Sequence, residues 1–224
     1  TAGAALQGRM LEAVLEKNAA DIRLESPVNE LVIEGGKALG VVTVKDGKPW
    51  RIGAKLGVLL NAGGFEASQE MRGKYIPKTR AEWSTGIESN TGDMHRELMR
   101  HGAAMGQMDQ MVGFQMTRSP GWDTAYVKPG VQAVTARPHA ILVDQSGVRY
   151  MNEAGSYEEY CENMMKRDDV VPAIPSWAIM DSQFMEKYPL ADKMGGRIPH
   201  KWRETGYLKE AGSVEELAGQ IGVD

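Results

Sequence analysis

The chain has 224 residues, 42% hydrophobic and 25% charged, an ordinary globular composition that suits one or two domains. A formal net charge of −4 with mixed signs leaves no basic face for nucleic acid, and no apolar run approaches the roughly 20 residues of a membrane span. One cysteine, Cys161, allows no internal disulfide and points to a reducing, cytoplasmic setting, while His95, His101, His139 and His200 lack ligand spacing, so no metal is expected.

The start, Thr1-Ala2-Gly3-Ala4, carries no basic region followed by an apolar one and no Met, so it reads neither as a leader nor as a natural beginning. Ala4 to Asn18 reads as an amphipathic helix, with Met10, Leu11, Val14 and Leu15 on one face and Asn18 as its stop. Asp21 to Glu25 alternates as a strand that Pro27 ends. Val28 to Ala54 reads as a three-stranded meander, its runs joined at Gly35-Gly36 and at Asp46-Gly47, a strong hairpin signal. Leu56 to Leu60 is an apolar run of buried-strand length that runs into Gly63-Gly64.

Ser68 to Tyr75 is expected to be a short helix ended by Pro77, and Gly92 to Gly102 carries another. The texture changes around Met105 to Val112, which places a domain boundary there. Gln115 to Pro138 reads as long loops, rich in Pro, Gly, Ser and Thr. Ala140 to Asp144 and Val148 to Met151 are expected to pair across Gln145-Ser146-Gly147. Tyr157 to Lys166 is a helix, Ser176 to Met180 a strand, and Asp181 to Lys187 and Ser213 to Ile221 are helices, the last opened by Ser213-x-x-Glu216. The six methionines between Met94 and Met116 read first as core filler.

The organising stretch is Val58-Leu59-Leu60-Asn61-Ala62-Gly63-Gly64-Phe65-Glu66, followed by Trp83-Ser84-Thr85-Gly86 and Asn90-Thr91-Gly92-Asp93. A strand ending in glycines at the carboxyl edge of a sheet is a favoured nucleotide position in an open α/β fold. Alone, the glycine doublet reads first as a turn. Together, LLNAGGFEASQEMRGKY, EWSTGIESNTGD and GVRYMNEAGSY resemble, in order and spacing, the FAD-binding flavoproteins of the fumarate reductase and 3-ketosteroid Δ1-dehydrogenase type.

That resemblance implies a mixed α+β and α/β chain: residues 1–107 as the later part of a Rossmann-like FAD-binding domain with a meander, and residues 108–224 as a substrate-covering α+β cap. It implies FAD as cofactor, contacted by Val28, Ala62, Gly63, Gly64, Phe65, Asn90, Thr91, Gly92 and Asp93. No G-x-G-x-x-G occurs in the chain, so the phosphate cradle is missing. The chain therefore reads as an internal fragment with an incomplete FAD site, inactive alone and binding FAD weakly.

After Asn152-Glu153-Ala154-Gly155-Ser156 stands Tyr157, where fumarate-reducing relatives carry an arginine. A tyrosine there resembles the ketosteroid dehydrogenases, in which it removes a proton beside a ketone. An unperturbed phenol titrates near 10 and needs help to act as a base at neutral pH. Tyr160, one turn on, is the weaker candidate. Arg149, Asn152 and Glu153 read mainly as a polar network, with Arg149 also a candidate substrate contact. The leading function is thus dehydrogenation of an apolar ketone such as a 3-ketosteroid. A fumarate-reductase-like enzyme for a small carboxylate, and a cofactor-free interaction module, stand as alternatives.

Overall fold

A computed structural model describes residues 2–113, 115–121, 137–191, 193 and 197–223, without the side chains of residues 2 and 157. The chain mixes helix and strand and divides into two compact units, Thr1–Gly63 with Asp93–Ala104, and Gly64–Gly92 with Met105–Asp224. The loop expected over Gln115 to Pro138 lies outside the described residues from 122 to 136.

The first unit opens with helix α1 (Ala2–Lys17). It stops where the sequence indicated: Asn18 takes a φ of +47°, and the Ala19 amide reaches back to the Val14 carbonyl, a left-handed closure that satisfies last-turn carbonyls. Its apolar side chains are exposed, with Leu6 and Leu15 each 62% accessible. The meander follows as β1 (Glu30–Glu34), β2 (Lys37–Lys45) and β3 (Lys48–Gly53), antiparallel in the order β1-β2-β3. Both of its turns need positive φ at two successive residues, supplied by Gly35 and Gly36 and by Asp46 and Gly47.

Gly40 of β2 lies opposite Gly53, and a Cβ built on Gly40 would fall on the Ile52 carbonyl oxygen of β3. Backbone cannot yield as a side-chain tip can. Gly40→Ala is therefore expected to spread the β2–β3 ladder and cost about 2–3 kcal/mol, as overpacking does. Urea unfolding followed through Trp50 of β3 checks it, and an unchanged midpoint would refute it.

Two expected strands are absent. Asp21 to Glu25 is irregular, and Leu56 to Leu60 forms no strand, with Leu56 104% and Leu59 92% accessible. A strand exists only through a ladder partner, and among the described residues none pairs with either segment. Helix α3 (Asp93–Arg100) completes the unit and packs on β1 through Glu97. Glu97 is 1% exposed, and its Oε1 accepts from the Leu31 amide at 2.7 Å and lies 3.1 Å from His101 Nε2. Burial raises its pKa, but the Leu31 amide, His101 and the Arg100 charge together bring it below the ordinary glutamate value.

The second unit holds α2 (Gln69–Tyr75), a one-turn 3₁₀ segment (Ala81–Trp83), β4 (Ala140–Val143), α4 (Tyr157–Asp168), β5 (Trp177–Met180), α5 (Ser182–Lys187), α6 (His200–Glu204) and α7 (Val214–Ile221). Ser68, Ser156, Asp181 and Ser213 cap their helices by accepting third-residue amides. The partner of β4 differs from expectation: β4 pairs antiparallel with β5, and the 148–151 segment contributes one bridge, Val143 to Arg149. The turn between them does form, held by Asp144. Leu142, Met151 and Tyr160 make one core cluster, and Leu190, Ala191 and Trp202 another. No helix among the described residues is long and apolar enough to cross a membrane.

Candidate functional site

Two loops of the second unit meet around Glu66. The Ala67 amide donates to the Asn90 carbonyl at 3.0 Å, and Asn90 Nδ2 donates to Glu66 Oε1 at 2.6 Å. Arg72, buried on α2, donates from Nη1 to the Glu66 carbonyl and from Nε to Thr79 Oγ1 at 3.1 Å. Burial lowers the Arg72 pKa against the opposing pull of the Cys161 and Glu66 charges. Phe65 tilts onto Tyr75 with ring centroids 5.8 Å apart.

The glycines here leave room for the chain's own side chains. Gly92 is buried at φ +80°, and a Cβ on it would lie 2.8 Å from Phe65 Cβ and against Met71 Sδ. A Cβ on Gly64 would come within 2.6 Å of Glu66 Oε2. Of the residues named from sequence, Gly64, Phe65, Asn90, Thr91 and Gly92 belong to the second unit, whereas Val28, Ala62, Gly63 and Asp93 belong to the first. Gly63 takes φ +76°, which favours glycine. Asp93 opens α3 and pairs with Arg96 at 3.0 Å. Glu66, at the centre of these contacts, was not named from sequence; its mark there is a carboxylate directly after the glycine doublet and one aromatic.

The second named cluster surrounds the start of α4. Tyr157 is the first residue of that helix, after the cap Ser156; its side chain lies outside the described ones. Tyr160 is 4% exposed within the Leu142–Met151 cluster, a core residue. Glu153 is buried and accepts from the Leu142 amide at 2.9 Å and from Arg149 Nε at 3.1 Å. Burial raises the Glu153 pKa, and the Arg149 and Leu142 hydrogen bonds outweigh it, leaving the carboxyl below its ordinary value. Arg149 is in turn pushed up by that pairing, with half of its side chain exposed. Asn152 Oδ1 accepts from the Ala154 amide at 3.1 Å. Of the polar network expected of these residues, the Arg149–Glu153 pair is present, while Asn152 bonds locally in the turn before α4.

Beyond them, Asp144 is fully buried. Its Oδ1 accepts from the Ser146 amide, Ser146 Oγ and the Val148 amide at 2.8, 2.7 and 3.1 Å, and its Oδ2 accepts from Arg167 Nε at 2.7 Å. An open cavity of about 460 Å³, lined in part by Arg118, Ser119, Thr205 and Tyr207, contains none of the residues named from sequence. No group of His, Cys, Asp and Glu able to hold a metal occurs among the described residues.

The family described as "FAD binding domain" matches residues 1–204. A 3-oxosteroid 1-dehydrogenase of Mycolicibacterium smegmatis is 32% identical over 93% of this chain and 38% of its own length. An NADH:fumarate oxidoreductase of Klebsiella pneumoniae is 24% identical over 99% of this chain and 22% of its own. Among solved structures, the 3-ketosteroid delta1-dehydrogenase of Sterolibacterium denitrificans in complex with 1,4-androstadiene-3,17-dione superposes with a TM-score of 0.77 at 32% identity, covering 95% of this chain and 39% of that one. The chain thus spans less than two-fifths of the length of these relatives. Three sequence blocks in family order, and a family match that extends from the first residue through α6, lead to one assignment: the chain belongs to the FAD binding domain family of flavoproteins.

Proposed function

We propose that this chain is the middle of an FAD-dependent dehydrogenase that acts on an apolar ketone such as a 3-ketosteroid. Residues 1–107 supply the later part of its FAD-binding domain and residues 108–224 its substrate-covering cap. The observation that carries the reading is the 32% identity to a 3-oxosteroid 1-dehydrogenase over 93% of the chain.

The chemistry of the donor set supports the cofactor assignment. Gly64, Phe65, Asn90, Thr91 and Gly92 bring one carboxamide, one hydroxyl and glycine main chain, with no cation among them, while the Asn90 and Thr91 amides already donate to the Ile87 and Ser89 carbonyls. Such a neutral set fits the ring edge or hydroxyls of a flavin nucleotide better than its pyrophosphate, which favours glycine-rich helix starts and positive charge. Held there, FAD would supply the acceptor for the hydride lost by a substrate carbon. Tyr157 receives the matching proton from the carbon beside the ketone, and Arg149, fixed by Glu153, stands on the substrate side.

Tyrosine rather than arginine at position 157 favours this reading over fumarate reduction. The test is anaerobic mixing of the complete flavoprotein with a 3-keto steroid, followed by fumarate. Steroid is expected to bleach the flavin, and fumarate to leave the reduced form unchanged. Bleaching by neither steroid nor related ketones, with fumarate reoxidising flavin that dithionite has reduced, would favour the carboxylate enzyme. A complete protein without flavin would favour the interaction module.

A further inference from the structure

Glu66 is an acidic side chain hydrogen-bonded to Asn90, one of the residues assigned to the cofactor in the second unit, and the mechanism does not use it. Its carboxylate is fitted between two glycines: a Cβ on Gly64 or on Gly86 would run into it. Its main chain is fixed by Arg72, and the neighbouring Ala67 amide is fixed to the Asn90 carbonyl. The carboxylate therefore meets Asn90 from a braced position, at 2.6 Å.

The chemistry of that contact settles which way the amide faces. An ionised carboxylate only accepts, so it must meet the NH₂ end of a carboxamide. Turning the amide over would set two acceptors against each other. With one Nδ2 hydrogen committed to Glu66, Asn90 keeps its second N–H and Oδ1, and the fixed orientation sets where that oxygen, its side chain's acceptor, faces.

We propose that Glu66 is a positioning residue of the flavin site, which locks Asn90 so that its amide oxygen accepts from an N–H or O–H group of the cofactor. The inference rests on the FAD reading above. Gln at position 66 has the same shape but can present either an acceptor or a donor, so the direction of Asn90 is no longer fixed.

The experiment titrates FAD into the apo form of the complete protein, as wild type, Glu66→Gln, Asn90→Ala and the double variant, and melts each apo form. Glu66→Gln is expected to weaken FAD about tenfold, the scale of one lost charged hydrogen bond, with the apo melting temperature nearly unchanged. The double variant is expected to bind no more weakly than Asn90→Ala, because Glu66 acts through Asn90. FAD affinity of Glu66→Gln within twofold of wild type overturns the proposal, as does additivity of the two losses. A large fall in apo melting temperature also overturns it, since Glu66 would then be a folding residue. Wild-type protein that fails to bind FAD sinks the flavin reading itself, whereas the other failures leave that reading standing.

Discussion

Tyr157→Phe in the complete flavoprotein is expected to slow flavin reduction by a 3-keto steroid by about 10²–10⁴-fold, the usual cost of losing a general base. The substitution removes a hydroxyl and keeps the ring. The backbone at position 157 is the first turn of α4, and the Ser156 cap that starts the helix accepts from the Glu159 amide at 3.3 Å, a bond that does not involve residue 157. Helix α4 should therefore form unchanged, and FAD content and steroid affinity should be retained. Loss in kcat with little change in KM is the pattern of a group that matters only when the proton moves. Anaerobic bleaching within a few-fold of wild type would reduce Tyr157 to a packing residue and return the choice of base to an open question. Tyr160→Phe, one turn on, should instead leave the rate of flavin reduction near wild type, because Tyr160 is a core residue of the Leu142–Met151 cluster and the substitution keeps the packed ring.

The largest expected effect on stability comes from Asp144. Its carboxylate closes the turn after β4 and holds Arg167 near the end of α4, so it ties a strand, a turn and a helix together. Burial pushes its pKa up, but the Ser146 hydroxyl, Arg167 and the Val148 and Ser146 amides prevail and lower it from 3.8 to about 2. A carboxyl with a depressed folded-state pKa stabilises the fold above its unfolded value, and the contribution is lost as pH falls toward the folded one. The expected window of loss is therefore from just below pH 4 down to about 2. Asp144→Ala leaves Arg167 and two amides without their acceptor and is expected to cost about 3 kcal/mol. For a chain of this length that lowers the melting temperature by roughly 6–12 °C. Asp144→Asn keeps one acceptor and should cost less. If the Ala variant melts with wild type at pH 7, and both lose stability equally between pH 4 and 2, the assigned role is wrong.

What could be read from sequence was local. The turns at Gly35-Gly36 and Asp46-Gly47 follow from the backbone each pair allows, and the structure shows positive φ at all four residues. The serine cap at 213 announced α7, because a hydroxyl three residues before an amide satisfies it without reference to the rest of the chain; Ser68 and Ser156 cap α2 and α4 in the same way. Leu56 to Leu60 had the composition of a strand, yet composition cannot supply the neighbouring strand that makes one. The same limit applied to β4, whose partner β5 begins more than 30 residues after it ends. The polar contacts of the candidate site were hidden for a related reason. Glu66 and Asn90 are 24 residues apart, Asp144 and Arg167 are 23, and Leu31 and Glu97 are 66. Each carboxylate looks in sequence like any solvated acid, and only folding reveals what it holds. The Arg149–Glu153 pair was legible because four residues separate its members.

Glu97 and Glu153 share a habit with a consequence outside the chemistry. Each is a buried carboxylate that receives a leucine amide from the open side of a strand, Leu31 of β1 in one unit and Leu142 of β4 in the other. An uncovered strand border is a template on which a second molecule can add its own strand, the first step toward fibrils or sticky oligomers. By occupying these amides the two glutamates work as seals on the flanks of both sheets. Acid that neutralises them, or replacement by a shorter side chain, is expected to free those two amides, on β1 and, beside the Val143–Arg149 bridge, on β4, for a strand from another molecule.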